Sequence, residues 1–262
     1  MWNIMKALGY QIKRDNYSII VLILAVFIPF MSLFLNDSGV KLSEMTGSMY
    51  VSGYVRNLTA FLLIEIVLLT TRITGWDYND KTINYEIMTG HSKKEVFGAR
   101  AILSIFTNIL VFGMMMGLPM LVFTIMNGWG KSLSLKNAII RYSLMIFPIF
   151  RITCIFVLLT VIVANCYIAL VIGYALFEVT MILAMIMKEI LDQTFTVQFA
   201  VTNMEKMFSF SGYKTQNIDG KDVMVFESAV SGSLAGGTII VSLILGIAAL
   251  TIGNIYIHHH DL

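Results

Sequence analysis

The apolar residues of this chain come in long blocks rather than at the spacing of a soluble amphipathic helix, and polar residues gather in the gaps. Blocks of roughly 18 residues or more with few charges predict helices that cross a bilayer. Six such segments are drawn: Ser18 to Leu35, Val55 to Ile73, Ala101 to Met126, Ser143 to Val163, Tyr167 to Met187, and Ser233 to Ile257. No small-residue cleavage pattern follows Leu35, so the first block is expected to persist as a span rather than leave as a signal peptide. Pro29, Pro119 and Pro148 each fall inside a predicted span. There a missing amide kinks a helix whose neighbours must satisfy the freed carbonyl.

The stretches between the blocks have periodicities of their own. Over residues 1–17, Trp2, Met5, Leu8 or Gly9, and Ile12 recur near one helical face, with Lys6, Lys13 and Arg14 among the rest, which predicts an interfacial helix lying on the membrane. Residues 18–262 form the transmembrane domain, interrupted by a polar loop over 74–100 and a longer non-spanning segment over 188–232. In the latter, Phe195, Val197, Phe199 and Val201 alternate with Thr and Gln, the pattern of a strand or half-buried edge. Farther on, Asp219-Gly220 between Tyr213 to Ile218 and Lys221 to Phe226 predicts a small hairpin.

The polar loop is the most structured of these gaps. Asp80 or Thr82 can cap a helix beginning at Ile83, in which Ile83, Ile87 and Met88 share one face while Asn84 and Glu86 turn elsewhere. Gly90 ends it. Ser92 can cap a second helix in which Val96 and Phe97 lead back toward the membrane, with Lys93, Lys94 and Arg100 placed for headgroups or an acidic partner. The pattern as a whole predicts an all-α integral membrane protein: six transmembrane helices, an N-terminal interfacial helix, a surface helix after the second span, and a small external hairpin.

Composition agrees, with 57% hydrophobic residues, 13% charged, and a mean hydropathy of +0.79. The net charge of +2 and the lack of a basic, aromatic-laced groove argue against nucleic acid. With both termini inside, the cytoplasmic loops hold Lys6, Lys13, Arg14, Arg72, Lys81, Lys93, Lys94 and Arg100. The outer side holds a comparable number, four of them in the long 188–232 segment, whose central charges lie far from either span. Lys13 and Arg14 ahead of the first span favour both termini in the cytoplasm of a cell-membrane protein.

Catalytic patterns fail one by one. Gly130-Lys131-Ser132 imitates the end of a phosphate-binding loop, but Ile125 replaces the required glycine and a span precedes it. The histidines are His91 and His258 to His260, outside every predicted span, so neither an intramembrane metalloprotease nor a histidine-activated serine nucleophile is supported. Cys154 and Cys166 suggest neither a disulfide framework nor a zinc cluster. Neither a catalytic nor a metal site is assigned. The buried charges are more informative: Glu65, Arg151 and Glu178 lie well inside spans, and Arg56 sits near an outer end. Each costs on the order of 2.5 kcal/mol or more near the bilayer centre, so they are expected to face the bundle, a subunit interface or a polar cavity. Arg151 pairing with Glu65 or Glu178 is the simplest arrangement. Gly113-Met-Met-Met-Gly117 and Gly232-Ser-Leu-Ala-Gly236 have the small-residue spacing that lets helices approach closely.

The run Asp80-Lys-Thr-Ile83, then Ile87, then Gly90-His-Ser-Lys93 and onward to Arg100 is similar to the segment after the second span in type-2 ATP-binding-cassette (ABC) transporter permeases. The predicted layout resembles that family over the whole chain. Lys81 stands at the family's usual glycine and Lys93 at its usual arginine. The resemblance implies an exporter's permease subunit that works as a homodimer or with a paired permease. It would be coupled through Asp80, Thr82, Glu86, Gly90, His91, Ser92 and Lys93 to an ATPase on a separate chain, which would hold ATP and magnesium. Peptide or drug export, or self-immunity, are the roles it suggests. A gradient-driven secondary transporter or channel using the buried Glu and Arg residues is the alternative, and a membrane scaffold with a partner-binding hairpin a third.

Overall fold

The computed structural model describes residues 1–35, 42–79, 87–191, 202–210, 213–218, 221–226 and 229–259, most of them helical. Helix α1 (Trp2–Arg14) is separated from α2 (Asn16–Leu35) by Asp15 alone. The Asp15 N–H closes α1 on the Gln11 carbonyl, and its carboxylate accepts from Ser18 N (3.1 Å) and Ser18 Oγ (2.7 Å), capping α2. A 3-10 turn (Leu42–Glu44) leads to the short α3 (Gly47–Gly53) and then to α4 (Val55–Asn79). Next come α5 (Lys93–Phe112), a π-helical turn (Gly113–Gly117) and α6 (Leu118–Asn127), one continuous rod. Helices α7 (Leu135–Val163), α8 (Cys166–Leu191) and α9 (Thr202–Met207), strands β1 (Tyr213–Ile218) and β2 (Lys221–Phe226), and α10 (Gly232–His259) complete the order.

Among the described residues, five helical stretches are long and apolar enough to cross a membrane: Asn16–Leu33, Val55–Asp77, Lys93–Asn127, Leu135–Val163 and Gly232–His259. The sequence predicts a sixth at Tyr167 to Met187. Helix α8 is there, but its described apolar run, Cys166–Leu176, is shorter than the others. Helix α4 is the central one, with 72% of its crossing stretch buried against 28% for α2 and for α10.

One end of the bundle gathers α1, the last turns of α4, the start of α5, the α7–α8 turn and the end of α10. Ile4 and Leu8 of α1 pack on Val96 and Ala99 of α5, and Ile257 of α10 joins Phe97 and Val161. The opposite end carries α3, the turn at 128–134, α9 and the hairpin. The hairpin has the predicted register, from Tyr213 opposite Phe226 to Ile218 opposite Lys221. Its turn residues Asp219 and Gly220, and the strand predicted over 195–201, lie outside the described residues.

Within the chain, α1 buries Ile4 and Leu8, each 4% exposed, against Val96 and Ala99 of α5, while Met5, Gly9 and Ile12 of the predicted apolar face are half-buried and Trp2 is exposed. One local expectation is corrected. The glycine pairs at 113/117 and 232/236 make no close helix contact within the chain, since a Cβ on any of the four meets nothing within 4 Å. The close approaches lie elsewhere, at Gly75 against Thr160 and Cys166, Gly173 against Phe156, Gly246 against Phe150, and Gly253 against Phe97.

All three prolines sit within helices. Pro119 removes the donor that an α-helix would aim at the Met115 carbonyl, and the π turn loosens the ladder beside it. Tyr50 Oη donates to the Met115 carbonyl (3.4 Å) that Pro119 leaves without its helical donor, and Tyr142 Oη donates to the neighbouring Met116 carbonyl (2.9 Å). The strain of Pro119 is thereby converted into contacts from α3 and α7.

Candidate functional site

The end of the bundle that carries α1 is held by two charged ties, both anchored on the last turns of α4. Arg72 clamps Asp15 with two parallel bonds, Nε to Oδ2 at 3.0 Å and Nη2 to Oδ1 at 2.7 Å. Its guanidinium lies 3.3 Å from the centroid of the Trp76 ring, one turn on. Planar bidentate geometry with an aromatic backing is what arginine, and not lysine, provides. Burial pushes the Asp15 carboxyl up, but hydrogen bonds from Arg72 and Ser18 and the Arg72 charge outweigh it and hold it at about 2. The second tie joins Asp77 to Arg100 of α5 at 2.7 Å, with side chains 12% and 3% exposed. Arg100 also reaches the Thr74 carbonyl.

From Arg100 a buried polar stripe runs inward along α5. Ser104, Thr107 and Asn108 follow at one-turn spacing on the same face. Asn108 Nδ2 donates to Thr70 Oγ1 on α4 (2.8 Å) and to Thr153 Oγ1 on α7 (2.9 Å), joining three crossing helices. Thr153 in turn donates to the Ile149 carbonyl. Ser104 Oγ and Asn108 Oδ1 are buried without a hydrogen-bond partner.

The loop that returns to α5 is shaped as its sequence predicts over the described part. Gly90 adopts φ +95°, a conformation that L side chains rarely adopt, and its N–H closes on Ile87 O. Ser92 then caps α5 through a capping box: Glu95 N donates to Ser92 Oγ, and Ser92 N to Glu95 Oε2. His91 Nδ1 lies 3.9 Å from Glu95, and Lys93 opens the helix. Met88, at 81% exposed, and Lys94 point outward. Asp80, Thr82 and Glu86 lie outside the described residues, as does the start of the predicted surface helix.

The buried charges are placed differently from the expected pairing. Glu65 is 3% exposed in α4, and neither carboxylate oxygen has a hydrogen-bond partner. Arg151 is 2% exposed in α7. Glu178 lies on the exposed surface of α8, and Arg56 is exposed at the start of α4. Neither Glu65 nor Glu178 pairs with Arg151, because α8 turns Glu178 away from the bundle and Glu65 is left among apolar neighbours of the core. No grouping of three or more His, Cys, Asp or Glu among the described residues is arranged to hold a metal.

The ties at Asp15–Arg72 and Asp77–Arg100 were not legible in the sequence. The available signals were a lone carboxylate between two helices and an Arg-x-x-x-Trp step at the end of a span. The chain matches no protein-family model and no curated protein sequence.

Proposed function

We propose that this chain is the permease subunit of an ABC exporter, with α8 as its sixth span and the 74–100 segment as the coupling element to a separate ATPase. The observation that carries this reading is the build of that segment. It leaves α4 two residues after the Asp77–Arg100 tie, exposes Met88 and Lys94, and re-enters through a fixed cap at Ser92 onto the part of α5 that α1 grips. A push on such a segment reaches α1, α4 and α5 together. Glu178 supports a second copy: a carboxylate on the outer face of a span costs on the order of 2.5 kcal/mol or more in lipid, and a subunit interface removes that cost. ATP and magnesium belong to the partner in this reading, and export of a peptide or drug is the role the resemblance suggests.

Co-expression with the ATPase subunit, followed by purification on it, tests the reading. Met88→Asp and Lys94→Glu, both at exposed positions, should strip the ATPase from a permease that still elutes as a folded particle. Full retention and unchanged ATP-driven transport in both variants would overturn it. The secondary-transporter reading is favoured by one observation, the unpartnered burial of Glu65. It requires gradient-driven transport in proteoliposomes lacking any ATPase, abolished by Glu65→Gln.

A further inference from the structure

Beside the Arg72–Asp15 tie, α1, the foot of α2 and the end of α4 enclose a half-open cavity of about 380 Å³, whose walls include Tyr10, Arg14, Asp15, Ser18, Arg72 and Trp76. Its charges are unevenly spent. Asp15 is taken by Arg72 and Asp77 by Arg100. Arg14 rests over the Tyr10 ring, 4.6 Å from its centroid, and has no carboxylate partner among the described residues. Arg72 Nη1 makes none of the described hydrogen bonds, its Nε and Nη2 serving Asp15. The lining holds two arginines and two aspartates, and with both carboxylates engaged the spare donors are those of Arg14 and Nη1 of Arg72. Each of the two rings in its wall already carries a guanidinium, Trp76 that of Arg72 and Tyr10 that of Arg14. An ammonium group entering here would find both carboxylates already paired, whereas a phosphodiester would find donors.

One turn deeper, the same helix forms a second recess of a different character. A groove of about 400 Å³, almost wholly apolar, is lined by Ile19, Leu22, Ile23, Val26, Phe27 and Met114. At 100° per residue, Asp15 and Ser18 of the cavity and Ile19, Leu22 and Val26 of the groove fall on one side of α2. A polar recess with spare guanidinium donors therefore shares one side of α2 with an apolar groove in the membrane-crossing part of the chain. Ile23 and Phe27 at its edge are 59% and 56% exposed, so the groove is open along its length.

We infer that these two recesses form one binding site for an anionic phospholipid, with the phosphodiester held by Arg14 and Arg72 and an acyl chain lying along α2 against Met114. A headgroup bridging Arg14 of α1 to Arg72 of α4 fastens the surface helix to the central span, so site occupancy stiffens the end of the bundle that carries α1. The site is independent of any ATPase.

The test uses the purified full-length protein, delipidated in mild detergent and titrated with phosphatidylglycerol, phosphatidylcholine or glycerol phosphate. Bound lipid is counted by native mass spectrometry and stability read by thermal unfolding. Phosphatidylglycerol should be retained and raise the melting temperature, phosphatidylcholine should bind weakly, and glycerol phosphate should give no shift. Arg14→Gln should lower phosphatidylglycerol affinity by about tenfold, the loss of one charge-assisted contact. Ile23→Trp, at an exposed position, should block the groove and reduce lipid retention with Arg14 intact. Equal retention of the two phospholipids, unchanged affinity in both variants, or glycerol phosphate binding as tightly as the lipid would each overturn the assignment.

Discussion

The two ends of the bundle are fastened by opposite means. At the end carrying α1, a few side chains do the fastening: Asp15 with Arg72, Asp77 with Arg100, and Ser92 with Glu95. At the other end, the work is spread over backbone bonds and rings. Gly47 N donates to Gly128 O (3.2 Å), Ser48 N to Trp129 O (2.7 Å) and Phe226 N to Ser132 O (2.8 Å). Arg141 there reaches the Met207 carbonyl, and Phe210 meets Phe226 at 5.3 Å between ring centroids. Charged ties concentrate energy in single contacts that one substitution removes, while a mesh of backbone bonds survives the loss of any one member. The first end is thus built to be loosened at defined points, the second to stay closed.

The largest effect that would break this contrast is at Arg100. Arg100→Leu removes the 2.7 Å ion pair with buried Asp77 and should cost about 3–5 kcal/mol, read as a fall in melting temperature in detergent. A loss below about 1 kcal/mol would mean that the tie is not a point of concentrated energy. At the other end, Tyr142→Phe strips the Met116 carbonyl of its donor and should cost about 1 kcal/mol, with Tyr50→Phe costing less because its bond is longer. Equal losses at Arg100 and Tyr142 in the same melting assay would erase the distinction between the ends. The smallest effect is on pH. The folded Asp15 carboxyl is held at about 2, below its ordinary 3.8, so the stability it contributes is complete above about pH 4 and is lost as pH falls through about 2. Unfolding of wild type and Asp15→Asn across pH 5 to 8 should differ by a constant amount. A gap that closes within that window would show that another group controls the tie.

What the sequence revealed was what short-range chemistry decides. The strands predicted at Tyr213 to Ile218 and Lys221 to Phe226 pair, Ser92 with Glu95 at the third position closes a capping box, and Gly90 takes the backbone angle that suits glycine. Apolar block length marked the five stretches long enough to cross a membrane among the described residues. What it did not reveal depends on partners far along the chain. Asp15 and Arg72 are 57 residues apart, and nothing local to either announces the other. The same holds for the packing of α1 on Val96 and Ala99, and for Glu178, whose exposure depends on how α8 rotates against its neighbours. The carbonyls freed around Pro119 were foreseeable in kind, but their satisfaction by Tyr50 and Tyr142 required the packed bundle.

Between Arg72 and Asp77, α4 holds three different neighbours in little more than one turn. Arg72 grips the α1–α2 junction, Asp77 grips α5, and at Gly75 the helix backbone presses on the α7–α8 corner so closely that an added Cβ would lie 2.8 Å from Cys166 Cβ. A helix fixed on three sides within six positions has no private axis of rotation. Any twist of α4 at this level is shared among five other helices, so the bundle responds there as a single gear train and not as separate rods.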